Sequence, residues 1–309
     1  MKKPRAILFL LIPTIFLLSC VTSPKASGEL DDGAPDFSLI PSSADIYLWA
    51  DINHAKPLLE ALSFEGLSHR DVVRIMDRTD TVLAAFYPED ASQRFFLAGW
   101  GNYPNLRAGF SMSFNRDWKR VKSETGSRYW YSGRNSLGIA LGSSLALVSN
   151  GDPFNPGLGS DPCPPGFEEF RRSCVLSGWL NNPDKKINQF ISTLGIPVQI
   201  PAEDFFFGVI KIPIDENKPD AGPWELVFKA RTPNASQARS LIALFSLARM
   251  FMPRDSQFEF PDAISPQEAA GMLFARNPEQ DGESIIFRIG PIDEGRIALL
   301  FNMFSLYSK

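Results

Sequence analysis

The 309-residue chain carries 31 Lys and Arg against 35 Asp and Glu, a net charge of −4. A hydrophobic content of 44% with 21% charge excludes a disordered chain. Mild acidity without a basic tract sets nucleic acid aside as a partner, since that affinity comes from clustered Lys and Arg.

Lys2, Lys3 and Arg5 precede an apolar run from Ala6 to Leu18, broken only by Pro13 and Thr14. The run is shorter than the roughly 20 residues that span a bilayer, so residues 1–19 read as a secretory leader. Its end, Leu17-Leu18-Ser19-Cys20, resembles the lipobox of bacterial lipoproteins. That resemblance implies cleavage before Cys20, diacylation of its sulfur with chains such as palmitate, and acylation of the new amine. Several acyl chains at about 0.8 kcal/mol per buried CH₂ make a durable anchor. The competing reading is an ordinary leader with a chance cysteine. Val21, where enterobacterial lipoproteins retained in the inner membrane carry Asp, leans towards the outer membrane. The predicted location is the cell envelope, exported and lipid-anchored.

With Cys20 lipidated, Cys163 and Cys174 remain as a pair in an oxidising compartment. A disulfide across their proline-stiffened loop is worth roughly 3 kcal/mol; two thiols or two metal ligands are the alternatives. No Cys-x-x-Cys or histidine cluster supports a metal.

Residues 20–40, rich in Ser, Thr, Pro, Gly and Asp, are predicted to be a flexible tether. In the first half, 41–150, Ile46–Ile52 reads as a strand and Ala55–Leu62 and Ser68–Asp77 as helices. Strands Thr81–Phe86 and Arg94–Trp100 follow, then a helix over Asn105–Phe114 with Pro104 near its start. Short strands at Tyr129–Tyr131, Leu137–Leu141 and Ser144–Ser149 are separated by polar and glycine-containing turns. A Pro/Gly-rich connector with the cysteine loop fills 151–174.

In the second half, 175–309, strand Val175–Leu180 leads into helix Asp184–Leu194, then strands Asp204–Ile214 and Trp224–Ala230. Helix Ala235–Phe251 has Asn234 as its N-cap. A strand near Met272–Ala275, a turn at Asn277–Gly282, strand Ser284–Ile289 and helix Glu294–Leu306 complete the chain. Both halves read strand, helix, strand, strand, helix, meander, which suggests two pseudo-repeats. The predicted class is α+β, mainly antiparallel sheet covered by helices on one face.

The opening Pro41-Ser42-Ser43-Ala44-Asp45-Ile46-Tyr47 and the Tyr-rich, Gly-punctuated stretch Arg128–Ser149 resemble uncharacterised lipoproteins of spirochaetes and related bacteria. Among these is a treponemal outer-membrane lipoprotein whose amphipathic helices insert into the inner leaflet. The resemblance implies an envelope protein of unassigned role.

Chemistry is sparse. His54 and His69 sit beside helix starts among polar residues, which favours surface roles. No zinc signature, serine elbow or phosphate-binding glycine loop is present. No catalytic residue, metal ligand or cofactor is assigned. Twenty-five phenylalanines are the more telling feature. Asp204–Ile210 is apolar at consecutive positions, as in a strand buried on both faces. Helices Ala235–Met252 and Ile292–Lys309 carry wide apolar stripes that include Phe245, Phe251, Phe301 and Phe304. These pack on the sheet or, in the sharper reading, face an apolar ligand or a membrane. The leading expectation is a non-catalytic structural or interaction module held to a membrane by its anchor. The alternatives are a lipid binder that inserts amphipathic helices, and a periplasmic hydrolase.

Overall fold

The computed structural model describes residues 36–61, 69–87, 94–154, 163–193, 199–213, 223–251, 271–272 and 275–307. The leader, Cys20 and most of the tether lie outside these. The chain divides between Cys163 and Pro164 into two compact units.

In the first unit, β1 (Ile46–Asp51) is followed by α1 (Ile52–Ala61) and α2 (His69–Met76), then β2 (Thr79–Tyr87) and β3 (Arg94–Gly101). Next come α3 (Asn105–Phe114), β4 (Trp118–Lys122), β5 (Arg128–Ser132), β6 (Leu137–Leu141) and β7 (Leu145–Ser149). Spatial order is β1-β2-β3-β7-β6-β5-β4, every pairing antiparallel. β4 was not predicted. As the edge strand of this sheet it buries only Trp118, so it shows no apolar alternation to read.

The helices stand on one face of that sheet, as register shows. Cross-strand partners share a face, and Leu97, Val148, Ile139, Trp130 and Arg120 are partners in turn. Met112 of α3 packs with Phe95, Trp118, Leu137, Ile139 and Val148, against Leu97 and Trp130. Ile52 of α1 and Val72 and Met76 of α2 pack against Ala50 and Val82, partners on the same face. Tight backbone approach fixes the last hairpin: a Cβ on Gly138 would lie 1.7 Å from the carbonyl oxygen of Gly151. Only glycine fits there.

In the second unit, α4 (Phe167–Arg171) precedes β8 (Leu176–Leu180), α5 (Pro183–Thr193), β9 (Asp204–Lys211) and β10 (Trp224–Arg231). Then come α6 (Ala235–Phe251), β11 (Glu279–Asp281), β12 (Ser284–Ile292) and α7 (Glu294–Tyr307). Spatial order is β8-β9-β10-β12-β11, again antiparallel. This matches β1-β2-β3-β7-β6 strand for strand, with α3 and α6 in equivalent places after the second hairpin strand. The chain is thus α+β, with antiparallel sheet as its base.

Three details of this second unit differ from the reading of the sequence. Met272 is helical, and the strand in this region is Glu279–Asp281, inside the predicted turn. The cysteine loop contains α4. Helices also cover both faces of the second sheet: Phe206 meets Phe167 and Phe170 of α4, while Phe245 of α6 meets Phe287. Phe287 pairs with Phe228 and Phe228 with Phe207, which points away from Phe206. Phe206 and Val209 are therefore both buried, on opposite faces of one strand.

Asn234 caps α6 as predicted, its Oδ1 accepting the amide of Gln237 at 2.9 Å. Asp51 does the same for α1, accepting the amide of His54 at 3.1 Å.

Candidate functional site

Helix α3 is apolar on two sides. Ala108 and Met112 face the sheet. Leu106, Phe110 and Phe114, four residues apart, form a ridge on the outer side and are 85%, 68% and 74% exposed. The Phe110 and Phe114 rings meet edge to face at 4.7 Å. Large apolar side chains rarely stand so free on a protein in water, and a contiguous group marks a contact with something apolar. The equivalent helix α6 repeats the arrangement on a smaller scale: Ala238, Leu241 and Phe245 are buried, and Leu244 and Leu247 are exposed.

The sequence reading missed the α3 ridge because its stripe is narrow and glycine and serine interrupt the helix. The i, i+4, i+8 spacing of Leu106, Phe110 and Phe114 was the available signal. The residues singled out instead are placed differently. Phe245 is 1% exposed, its ring 4.8 Å from that of Phe287, so it belongs to the core and to no open face. The side chains of Phe251, Phe301 and Phe304 lie outside the described residues. Ile297 and Leu300, at the start of α7, are buried, and Trp224 Nε1 donates to Glu294 Oε1 at 2.8 Å.

Neither Cys163 nor Cys174 forms a disulfide in the structure, where the sequence leads one to expect a bridge. Cys174 is buried beneath β9, where its Sγ would lie 2.6 Å from a Cβ on Gly208, and it donates to the carbonyl of Phe170 at 3.4 Å. Burial pushes its thiol up to about 11, so little thiolate forms near neutral pH. In native protein at pH 8, iodoacetamide should therefore modify Cys174 about a hundredfold more slowly than an ordinary exposed thiol. Mass spectrometry of timed quenches should show that lag, and guanidinium should remove it. Prompt native labelling of Cys174 would mean that it is not buried in this way.

Other polar contacts join elements of the fold. His54 Nδ1 lies 2.8 Å from Asp51 Oδ2, a contact that adds to the cap of α1. Glu225, buried in β10, accepts from Arg276 at 2.7 Å and Arg288 at 2.8 Å. Among the described residues no group of three or more His, Cys, Asp and Glu is placed to hold a metal ion, and no helix is long and apolar enough to cross a membrane.

Residues 33–151, which include the whole α3–β7 region, match the family model of the outer membrane-associated lipoprotein TP0453. This part of the chain is similar to that family. Outer membrane protein TP0453 of Treponema pallidum (strain Nichols) is 30% identical over 101 residues, 33% of this chain and 34% of the relative. The aligned stretch thus spans about a third of the relative's length. Solved structures extend the likeness in fold across nearly the whole chain. Crystal form I of TP0453 gives a TM-score of 0.54 at 18% identity, covering 90% of this chain and 100% of that one. Crystal form IV gives 0.50 at 16% identity, covering 86% and 95%. The resemblance to a treponemal outer-membrane lipoprotein read from the sequence thus reappears in sequence and in fold. That family is outer membrane-associated, the location expected of this chain.

Proposed function

We propose that this protein is a non-catalytic envelope protein, anchored through acyl chains on Cys20, that rests on a membrane leaflet by inserting the Leu106–Phe110–Phe114 ridge. The ridge is the observation that carries this reading. Burying a Leu or Phe side chain contributes roughly 1.5–3 kcal/mol, so three supply enough for reversible binding to lipid but too little for a durable anchor. The acyl chains would supply the rest, and the ridge would set which side of the protein faces the bilayer. The lipobox-like Leu17-Leu18-Ser19-Cys20 and the outer-membrane association of the similar family support the location.

The test uses protein expressed from Val21 onwards, which lacks the anchor but keeps every described element. It should float with vesicles of phosphatidylcholine and phosphatidylglycerol, and Phe110→Ser/Phe114→Ser should lose at least tenfold in partitioning. Because both rings are exposed, the melting temperature should stay within a few degrees of the parent. Undiminished flotation of the double variant would remove the ridge from the membrane.

A further inference from the structure

We infer that the α3 side of the first unit selects anionic lipid headgroups, and that edge strand β4 and its partner β5 supply the charge. The inference rests on the membrane reading above and adds the class of lipid. Residues 107–134 contain seven Arg and Lys (Arg107, Arg116, Lys119, Arg120, Lys122, Arg128 and Arg134) and two acids, Asp117 and Glu124. Spread through the segment, these charges form no basic tract in the sequence, yet together they make it strongly positive in a chain whose net charge is −4.

The fold gathers three of these charges, Arg120, Lys122 and Arg128, on one side. Arg120 pairs with Trp130 and Lys122 with Arg128 across the β4–β5 hairpin. Trp130 lies against the cluster that holds Met112 of α3. Side chains two residues apart share a face, so Arg120, Lys122 and Arg128 all project from the sheet face that carries α3. All three are exposed. The basic strip therefore projects to the same side of the sheet as the helix that carries the apolar ridge.

Two acids lie nearby. Asp117 is 3.6 Å from Arg134, and Glu124 sits in the turn between β4 and β5. Lys122 and Arg128 stand directly opposite each other, an arrangement that like charges disfavour in a sheet. Blocking edge-to-edge aggregation needs charge on an edge strand, but it does not need two cations face to face. An anionic surface relieves that repulsion. An apolar ridge with a basic flank is also the composition by which interfacial elements bind anionic leaflets.

The experiment compares flotation of the Val21-onward protein with vesicles of phosphatidylcholine alone and with about 30% phosphatidylglycerol. The parent should partition about a hundredfold better onto the anionic vesicles, and this preference should shrink as salt rises from about 50 to 500 mM. Arg120→Gln/Lys122→Gln/Arg128→Gln should lose about a hundredfold on anionic vesicles, roughly fivefold per charge. The same variant should match the parent on neutral vesicles and melt within a few degrees of it. Phe110→Ser/Phe114→Ser should instead lose binding to both. Equal parental binding to both compositions, or an unchanged preference in the triple Gln variant, would overturn the inference while leaving the ridge in place. Parent-like binding by the Phe variant would overturn the membrane reading itself.

Discussion

Phe245→Asp should abolish the cooperative thermal transition of the second unit. The side chain is 1% exposed and packs edge to face on Phe287 at 4.8 Å, on the inner side of α6. A carboxylate there gains no solvent and lies among apolar residues: Ala238 and Leu241 are buried on α6, and Ile285, Phe287 and Ile289 are buried on one face of β12. Losing the ring costs about 3–5 kcal/mol, and desolvating a carboxyl group costs several more. Together these approach or exceed a typical domain stability of about 5–15 kcal/mol. Phe110→Asp is the matched control, because the same change on an exposed ridge should leave the melt nearly untouched. Circular dichroism melts of both variants make the comparison. A native-like melt for Phe245→Asp would mean that α6 does not hold this face of the sheet.

Arg276→Met/Arg288→Met should cost about 3–5 kcal/mol, and a third change, Glu225→Met, should restore much of it. Glu225 is 6% exposed in β10, and its two carboxylate oxygens take one guanidinium each, at 2.7 and 2.8 Å. Removing both partners leaves an uncompensated charge in a site closed to water, and that residue of charge, more than the lost attraction, sets the penalty. Both arginines are partly exposed, so their own desolvation is modest. At this chain size each kcal/mol moves the melting temperature by roughly 2–4 °C, which puts the double variant about 10 °C below the parent. The triple variant exchanges the buried ion for apolar packing and should melt several degrees above the double. If it melts no higher, the arginines stabilise the unit by packing their stems, and the charge of Glu225 is incidental.

These two sites show how differently the parts of the chain speak through sequence. Phe245 was legible as an apolar residue at helical spacing, but its partner was not. An inward and an outward apolar residue look alike along one helix, and only contact with Phe287 assigns Phe245 to the core. Glu225 was not legible at all. Arg276 and Arg288 are 51 and 63 residues away, and nothing local marks a carboxylate that long-range pairing will bury. The disulfide expected from the sequence and not seen in the structure has the same origin. Spacing allows Cys163 and Cys174 to bridge, but α4 turns the Cys174 thiol under Gly208.

Local chemistry was enough for the succession of elements. Alternation and β-branched runs placed most strands, polar turns separated the hairpins, and Asn234 marked the start of α6, because each signal acts within a few residues. The lipobox resemblance at Cys20 is likewise a contiguous pattern. The surface that carries the proposed function needed the tertiary structure. Which side of α3 meets water depends on the sheet beneath it, so Ala108 and Met112 had to be buried before Leu106, Phe110 and Phe114 stood out as a ridge. The basic strip depends on register: Arg120, Lys122 and Arg128 are scattered in sequence, and only the pairing of β4 with β5 sets them on the ridge's side of the sheet.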